Sequence, residues 1–382
     1  MRQNALILIA LFLTHFSFGQ TQDVWVRFYD TTKEQSGYKD LKGNIKIPAK
    51  FEAFTRADTF HYIIAVNEKV DSSYKSYYLL KNGKKVGQDS VFMFDFTVDC
   101  ESEGKIIFYD SKRDRVGFFD KNGAAIIPAI YNYASPFRNG LAIAHRNAKR
   151  KCWEEGGDTT KCEHLGWEGG ETILINEKNE ILADTVNLNL SNIDWYSKKV
   201  NDASIDTNIY VSIKGRNNPT YSFVDFEKEF NKWYYKSFLT GINSKNHSSL
   251  QNLLFFEVTF WSNKNGWTSL ESKEFVKAFP TALFSTRFQP NKLKEISLSQ
   301  DSFNELIFDK DIYKKYLNSC GAPNKEKFPL FNVLITYYKK RIKPIGNIQS
   351  DFFKKYEIDY QEQFDFLRTE QGYRLLSASL KK

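Results

Sequence analysis

The side chains able to do chemistry in this 382-residue chain are few, and the four cysteines come first. Cys152 and Cys162 lie close together in one glycine-bearing loop, whereas Cys100 and Cys320 stand far apart. In an oxidising compartment such cysteines pair, and the short spacing makes Cys152–Cys162 a candidate local disulfide. Spacing does not decide whether Cys100 meets Cys320. Metal binding by Cys152, Cys162 and His164 is the rival reading. Structural zinc needs a full tetrahedral ligand set, usually opening with a close-spaced cysteine pair, and neither condition is met. No metal and no cofactor are expected. The same loop carries Trp153 and Trp167 beside glycines and charged residues, where packing is less forced. Aromatics on a stapled loop are contact residues, so Trp153, Trp167 and His164 form the candidate binding surface.

A catalytic nucleophile needs a base within hydrogen-bond reach, and no histidine falls in a motif that supplies one. His145 ends a strand-like run, and His247-Ser248-Ser249 lies in the polar stretch 243–249, which reads as a loop. There is no G-x-S-x-G, no H-E-x-x-H and no phosphate-binding glycine loop. Glu154 and Glu155 are adjacent acids near basic residues, without the separation of a shared site. Lys339, Lys340, Arg341 and Lys343 follow Tyr337-Tyr338 as the most concentrated basic patch of the second half. Such a run is either a solvated strand end or a seat for an anion. The expectation is a protein without catalysis.

The elements that must position these residues fall into two parts. In the first, Gly37-Tyr-Lys-Asp-Leu-Lys-Gly43 with Asn44-Ile-Lys-Ile-Pro48 returns as Gly117-Phe-Phe-Asp-Lys-Asn-Gly123 with Ala124-Ala-Ile-Ile-Pro128. A degraded copy, Tyr77-Tyr-Leu-Leu-Lys-Asn-Gly83, sits midway. The period of about 40 residues is that of stacked supersecondary units. Each unit reads as a strand, an Asn-Gly or Lys-Gly turn, and a return strand stopped by proline. An aromatic stretch and a closing strand complete it. Phe51, Phe54, Tyr131, Tyr133 and Phe137 recur at equivalent places, which favours a continuous core over a sugar-stacking strip. A fourth, eroded copy starts near Ile173, with Asn179 at its turn and Ile209-Tyr-Val-Ser-Ile213 as its closing strand. The extra residues fall in 146–171, on the loop with the paired cysteines; insertions of this kind mark one face of an array, often the binding face.

Gly117 to Ala144, and more loosely Gly37 to Val66, resemble the bacterial WG-repeat (KWG-type) proteins. The shared pattern is an aromatic-x-D-x-x-G turn, an I-x-I-P strand, an aromatic loop ending in F-x-x-G, and a closing apolar strand. The tryptophan-glycine pair of that family is Val116-Gly117 here, and Ser36-Gly37 in the first copy. The resemblance covers residues 23–215, with units near 37, 77, 117 and 173. It implies an all-β scaffold of stacked hairpins with no enzyme chemistry to carry over. An open, curved stack is expected rather than a closed propeller.

After Arg216-Asn-Asn-Pro219 the pattern changes, and 216–382 reads as an α+β domain. Phe226, Phe230, Trp233, Tyr234 and Phe238 have helical spacing over about 223–240. Strands are expected at Leu253–Trp261 and Phe331–Tyr338, and helices at Glu271–Phe279 and Ser302–Leu317. A hairpin closes the chain, from Phe364–Arg368 through Thr369–Gly372 to Tyr373–Ser379. The opening helix and this hairpin are faintly similar to the NTF2-like superfamily, which implies a pocket between sheet and helix.

Hydrophobic content of 41% with 16% aromatic residues argues for packed cores and against disorder. The whole charge excess of +8 lies in residues 216–382, which suits an anionic partner or merely a solvated face. Arg2, the apolar run Ala5–Leu13 and Ser17-Phe18-Gly19 read as a signal peptide over 1–20, cut near Gly19 or Gln20. The expectation is an exported binding scaffold, periplasmic or extracellular, without a membrane span in the mature chain. Its partner is an envelope protein or a glycan, and nucleic acid is not expected. The alternative is an envelope enzyme acting on glycan or peptidoglycan, with its site in the C-terminal domain.

Overall fold

The computed structural model describes residues 23–94, 97–154, 157, 162–163, 165–243, 250–262, 265–279, 285–289, 291–341 and 350–380. The expected signal segment, His164, His247 and Lys343 lie outside these residues.

The first half is an all-β repeat array of three-stranded antiparallel meanders. β1 (Trp25–Asp30), β2 (Gln35–Asp40) and β3 (Ile45–Phe51) form the first. A short β4 (Thr59–Phe60) leads to the second meander of β5 (Ile63–Val70), β6 (Ser73–Leu80) and β7 (Lys85–Val86). After the small ladder of β8 (Met93–Phe94) and β9 (Thr97–Val98), the third is β10 (Lys105–Asp110), β11 (Arg115–Asp120) and β12 (Ala125–Tyr131). β13 (Tyr133–Ala134) and β14 (Leu141–Arg146) open the fourth. A hairpin of β15 (Lys149–Cys152) and β16 (Leu165–Glu168) is inserted there, before β17 (Glu171–Asn176) and β18 (Ile181–Ala183) complete the sheet. From the second on, each meander therefore joins the closing strand of one sequence copy to the hairpin of the next.

One turn chemistry recurs. Asp40 Oδ1 accepts the amides of Lys42 and Asn44 at 3.0 and 2.9 Å, and Asp120 Oδ1 those of Asn122 and Ala124 at 2.9 and 2.8 Å. Asn176 does the same for Lys178 and Glu180 at 3.0 and 2.9 Å. Gly43, Gly83 and Gly123 carry the positive φ each turn requires, and Asn179 takes it in the eroded copy with φ 62°. Neighbouring meanders share their cores. Phe60, Ile64 and Tyr77 join the first pair, Tyr78, Ile106 and Phe119 the second. Phe118, Phe137 and Ile175 join the third, and Leu174, Trp195 and Phe223 the fourth.

Three sequence expectations need correction. Phe54 and Tyr133 are exposed at 45% and 41%, while Phe51, Tyr131 and Phe137 are core. The chain breaks at Asn132, whose side chain bonds the backbone of Ala148 in both directions, so β13 does not continue the alternation of β12. The closing strand of the fourth copy is β19 (Ile193–Val200), not Ile209–Ile213. Its polar composition hid it, yet Ile193, Asp194 and Trp195 are buried. Ile209 precedes β20 (Tyr210–Lys214), an edge strand that pairs with β21 (Thr220–Asp225) in the sheet β19-β21-β20. Arg216–Pro219 is thus a hairpin inside one sheet, and the expected domain boundary near 215 falls within it.

β21 runs directly into α1 (Phe226–Trp233), capped by Asp225, whose carboxylate accepts the Lys228 amide at 3.0 Å. A π-turn (Tyr234–Phe238) and α2 (Leu239–Asn243) continue the helix. Phe226, Phe230, Tyr234, Phe238 and Ile242, four apart, are all fully buried against the sheet. That sheet contains β22 (Leu254–Ser262), β23 (Gly266–Glu271), β24 (Lys294–Asp301), β25 (Leu330–Lys340), β26 (Tyr356–Thr369) and β27 (Gly372–Ser379), in the order β23-β22-β27-β26-β25-β24. The expected helix at Ser302–Leu317 is a correction: only a 3-10 turn at Asp311–Tyr316 forms. Phe303, Phe308, Tyr313 and Tyr316 are buried without helical spacing, covering the outer sheet face, and Leu306 is left exposed at 88%. Among the described residues no helix is long and apolar enough to cross a membrane.

Candidate functional site

The segment 317–327 of the C-terminal domain lies across the linkers that join successive meanders. Ser319 O accepts the amides of Asp58 and Thr59 at 2.8 and 3.1 Å, and Ser319 Oγ donates to Glu101 O at 2.7 Å. Cys320 is disulfide-bonded to Cys100, with Cα atoms 5.8 Å apart. Further on, Glu326 meets Arg138 at 2.8 Å, and Lys327 stands 5.8 Å from the centre of the Tyr196 ring. The segment is shaped by Asn318, whose side-chain oxygen accepts the amides of Cys320 and Ala322, and by Gly321 at φ +74°. A second tie lies at the far end of the array. Arg368 of β26 pairs with Asp194 of β19 at 3.0 Å and with Glu229 of α1 at 2.8 Å.

Between this segment and the linkers is a recess of about 610 Å³. His61 and Tyr62 come from the first linker, Asp99 to Gly104 from the second, Pro136 and Arg138 from the third, and Tyr196 from β19. Lys121 projects from a hairpin turn, and Asn318, Asn324 and Glu326 close the other side. Most of its carboxylates are already engaged. Glu101 accepts the amides of Tyr62 and Ile63 at 2.8 and 3.2 Å, and Glu103 those of Asn139 and Gly140 at 2.5 and 2.9 Å. Burial raises the Glu101 carboxyl above its ordinary range against the pull of those amides. Asp99 differs: burial pushes it up to about 6, with a long contact of 3.4 Å from the Ile107 amide. Burial, then the charge of Glu103, raise the Tyr196 hydroxyl to about 12.

The inserted hairpin stands elsewhere. Cys152 and Cys162 are disulfide-bonded as the spacing suggests, so neither has a thiolate for a metal. Trp167 and Arg150 are opposed on the ribbon, and the Arg150 guanidinium lies 3.9 Å from the ring centre, with Arg115 at 5.6 Å. Arg150 in turn makes a forked pair with Asp114 at 2.8 and 2.7 Å. Trp153, just beyond the ladder, packs across Gly166 beside Lys151 and is exposed at 61%. Gly166 and Trp167 alternate along β16, so the two rings lie on opposite sides of the ribbon, and Trp167 meets Arg115 of the third meander. The basic patch is partly neutralised: Lys339 faces Asp359 at 3.4 Å and Arg341 faces Glu357 at 2.9 Å, while Lys340 is exposed.

Arg138, Tyr196, Glu103 and Glu326 were missed because nothing in their local sequence marks them. One signal did point to the recess: with Cys152 and Cys162 joined, Cys100 and Cys320 are left only with each other.

The comparisons agree with the geometry of the array. Residues 117–149, from β11 to the start of the inserted hairpin, match the family model of the WG containing repeat. No curated protein matches the chain. A solved chain whose title carries the name NTF2 is similar over 40% of this chain and 97% of its own, at 9% identity and a TM-score of 0.22, too low to assign a shared fold. The third unit of the array is thus a WG repeat, followed and preceded by other three-stranded meanders in the first half of the chain.

Proposed function

We propose that the chain is a non-catalytic, exported binding scaffold of the bacterial envelope, and that the recess between array and C-terminal domain is where it binds. The observation that carries this reading is the state of the recess: its walls come from successive repeat linkers, and Glu101, Glu103 and Glu326 are committed to backbone amides or to Arg138. A carboxylate spent on positioning the chain is a poor proton carrier. Two disulfides suit an oxidising compartment and thus export. The alternative, an enzyme acting on envelope glycan, has one observation in its favour. Asp99, with its carboxyl near 6, has the profile of a general acid.

The test is capture of a binding component from envelope extract by the full chain and by two variants. Lys121→Trp fills the recess from an exposed turn, and Trp153→Ala strips the inserted hairpin. The expected outcome is loss of capture with Lys121→Trp and its retention with Trp153→Ala. Loss with Trp153→Ala alone would move the site to the hairpin. Turnover of peptidoglycan that disappears in Asp99→Asn would replace the scaffold by the enzyme.

A further inference from the structure

The recess also says what class of molecule fits it, and this step rests on the recess being the binding place. Two tyrosines bracket it, Tyr62 from the first linker and Tyr196 from β19, with the second and third linkers between them. Both residues are partly exposed, at 37% and 47%. Each has a lysine ammonium over one face, Lys121 at 5.5 Å from Tyr62 and Lys327 at 5.8 Å from Tyr196. A cation over one side fixes the ring's orientation, and both tyrosines line the recess.

The ligand should be polar, yet able to use an aromatic face. Charge argues against a polyanion, because Asp99, Glu101, Glu103 and Glu326 outnumber Arg138 and Lys121, and Arg138 is already paired with Glu326. It argues against a simple cation as well, since three of those acids are engaged. What remains between the tyrosines is a wall of backbone and planar amide and carboxylate groups, including Asn318 and Asn324. Pyranose rings combine these demands: an apolar C–H face for an aromatic ring and hydroxyls for planar polar partners. The recess volume of about 610 Å³ has room for a short stretch of such rings.

We propose that the junction recess binds a neutral or N-acetylated oligosaccharide, with Tyr62 and Tyr196 as its stacking platforms. The experiment is calorimetric titration of the full, oxidised chain with tetramers of β-1,4-linked N-acetylglucosamine, β-1,4-linked glucose and α-1,4-linked glucose. Saturable binding of at least one is expected, weakened tenfold or more by Tyr62→Ala and by Tyr196→Ala. Tyr196→Phe keeps the ring and should bind within about threefold of wild type, which separates stacking from loss of fold. Binding untouched by both alanine variants would overturn the assignment. So would failure of all three tetramers. If they fail while capture from extract still depends on the recess, the glycan is wrong and the scaffold stands; if capture is independent of the recess as well, both fall.

Discussion

Asp99 and Glu68 show how single carboxyls set the acid response of this protein in opposite senses. Burial lifts Asp99 from its ordinary 3.8 to about 6, so the folded chain holds a proton that the unfolded chain has released between those values. The stability it contributes is full below about pH 4 and is lost as pH rises through 6. For Glu68, burial pushes upward but is outweighed by Tyr77 at 2.5 Å, Lys50 at 2.9 Å and Lys85, which hold it at about 2. Its contribution is present above about pH 4.5 and disappears toward pH 2. Denaturant titrations of Asp99→Asn should therefore show a shallower decline in stability between pH 4 and 6, the buried Glu101 and Asp194 carboxyls still contributing in the same sense, and keep the acid limb below. An unchanged slope in Asp99→Asn would show that the carboxyl is not buried as described.

Among the elements, the glycine of the repeat pattern has the clearest physical reason. A Cβ on Gly117 would stand 2.4 Å from Ile127 O and 2.8 Å from Ala129 N, and one on Gly37 would stand 2.6 Å from Ile47 O and 2.8 Å from Ala49 N. In both units the neighbouring ladder has a register irregularity that brings backbone against backbone. The residue before it is freer, being Ser36 in one unit and Val116 in the other, and both are buried. Gly117→Ala should cost about 1–3 kcal/mol by overpacking, read as a lowered thermal midpoint. An unchanged midpoint would mean that the strands do not approach so closely. The units were legible because their turns carry Asp, Asn and Gly at fixed places with local bonding rules. β19 was not, because its polar composition and irregular burial hide an edge strand, and β24 was not because it alternates with only two apolar residues, Ile296 and Leu298. The false helix at Ser302–Leu317 has its own origin: an apolar segment that covers a sheet needs no regular period.

For the whole molecule, the recess exists only because two distant parts of the chain are joined. Sequence fixes the fold of the array locally, whereas the contacts of segment 317–327 with Asp58, Glu101, Arg138 and Tyr196 depend on tertiary placement and leave no periodic trace. That is why the inserted loop, which announces itself by composition, was the easier candidate to find. The Cys100–Cys320 link holds the clasp, and closing so long a loop constrains the unfolded chain. Cys320→Ala should cost about 2–5 kcal/mol. It should also separate one unfolding transition into two, as the array and the C-terminal sheet lose their tie. The most direct test of the account is peptide mapping of the oxidised protein by mass spectrometry without reduction. The account predicts one linked pair containing Cys100 and Cys320 and another containing Cys152 and Cys162. Cys100 found as a free thiol, or bonded to any other cysteine, would mean that array and C-terminal domain are not clasped and that the recess between them is not the binding place.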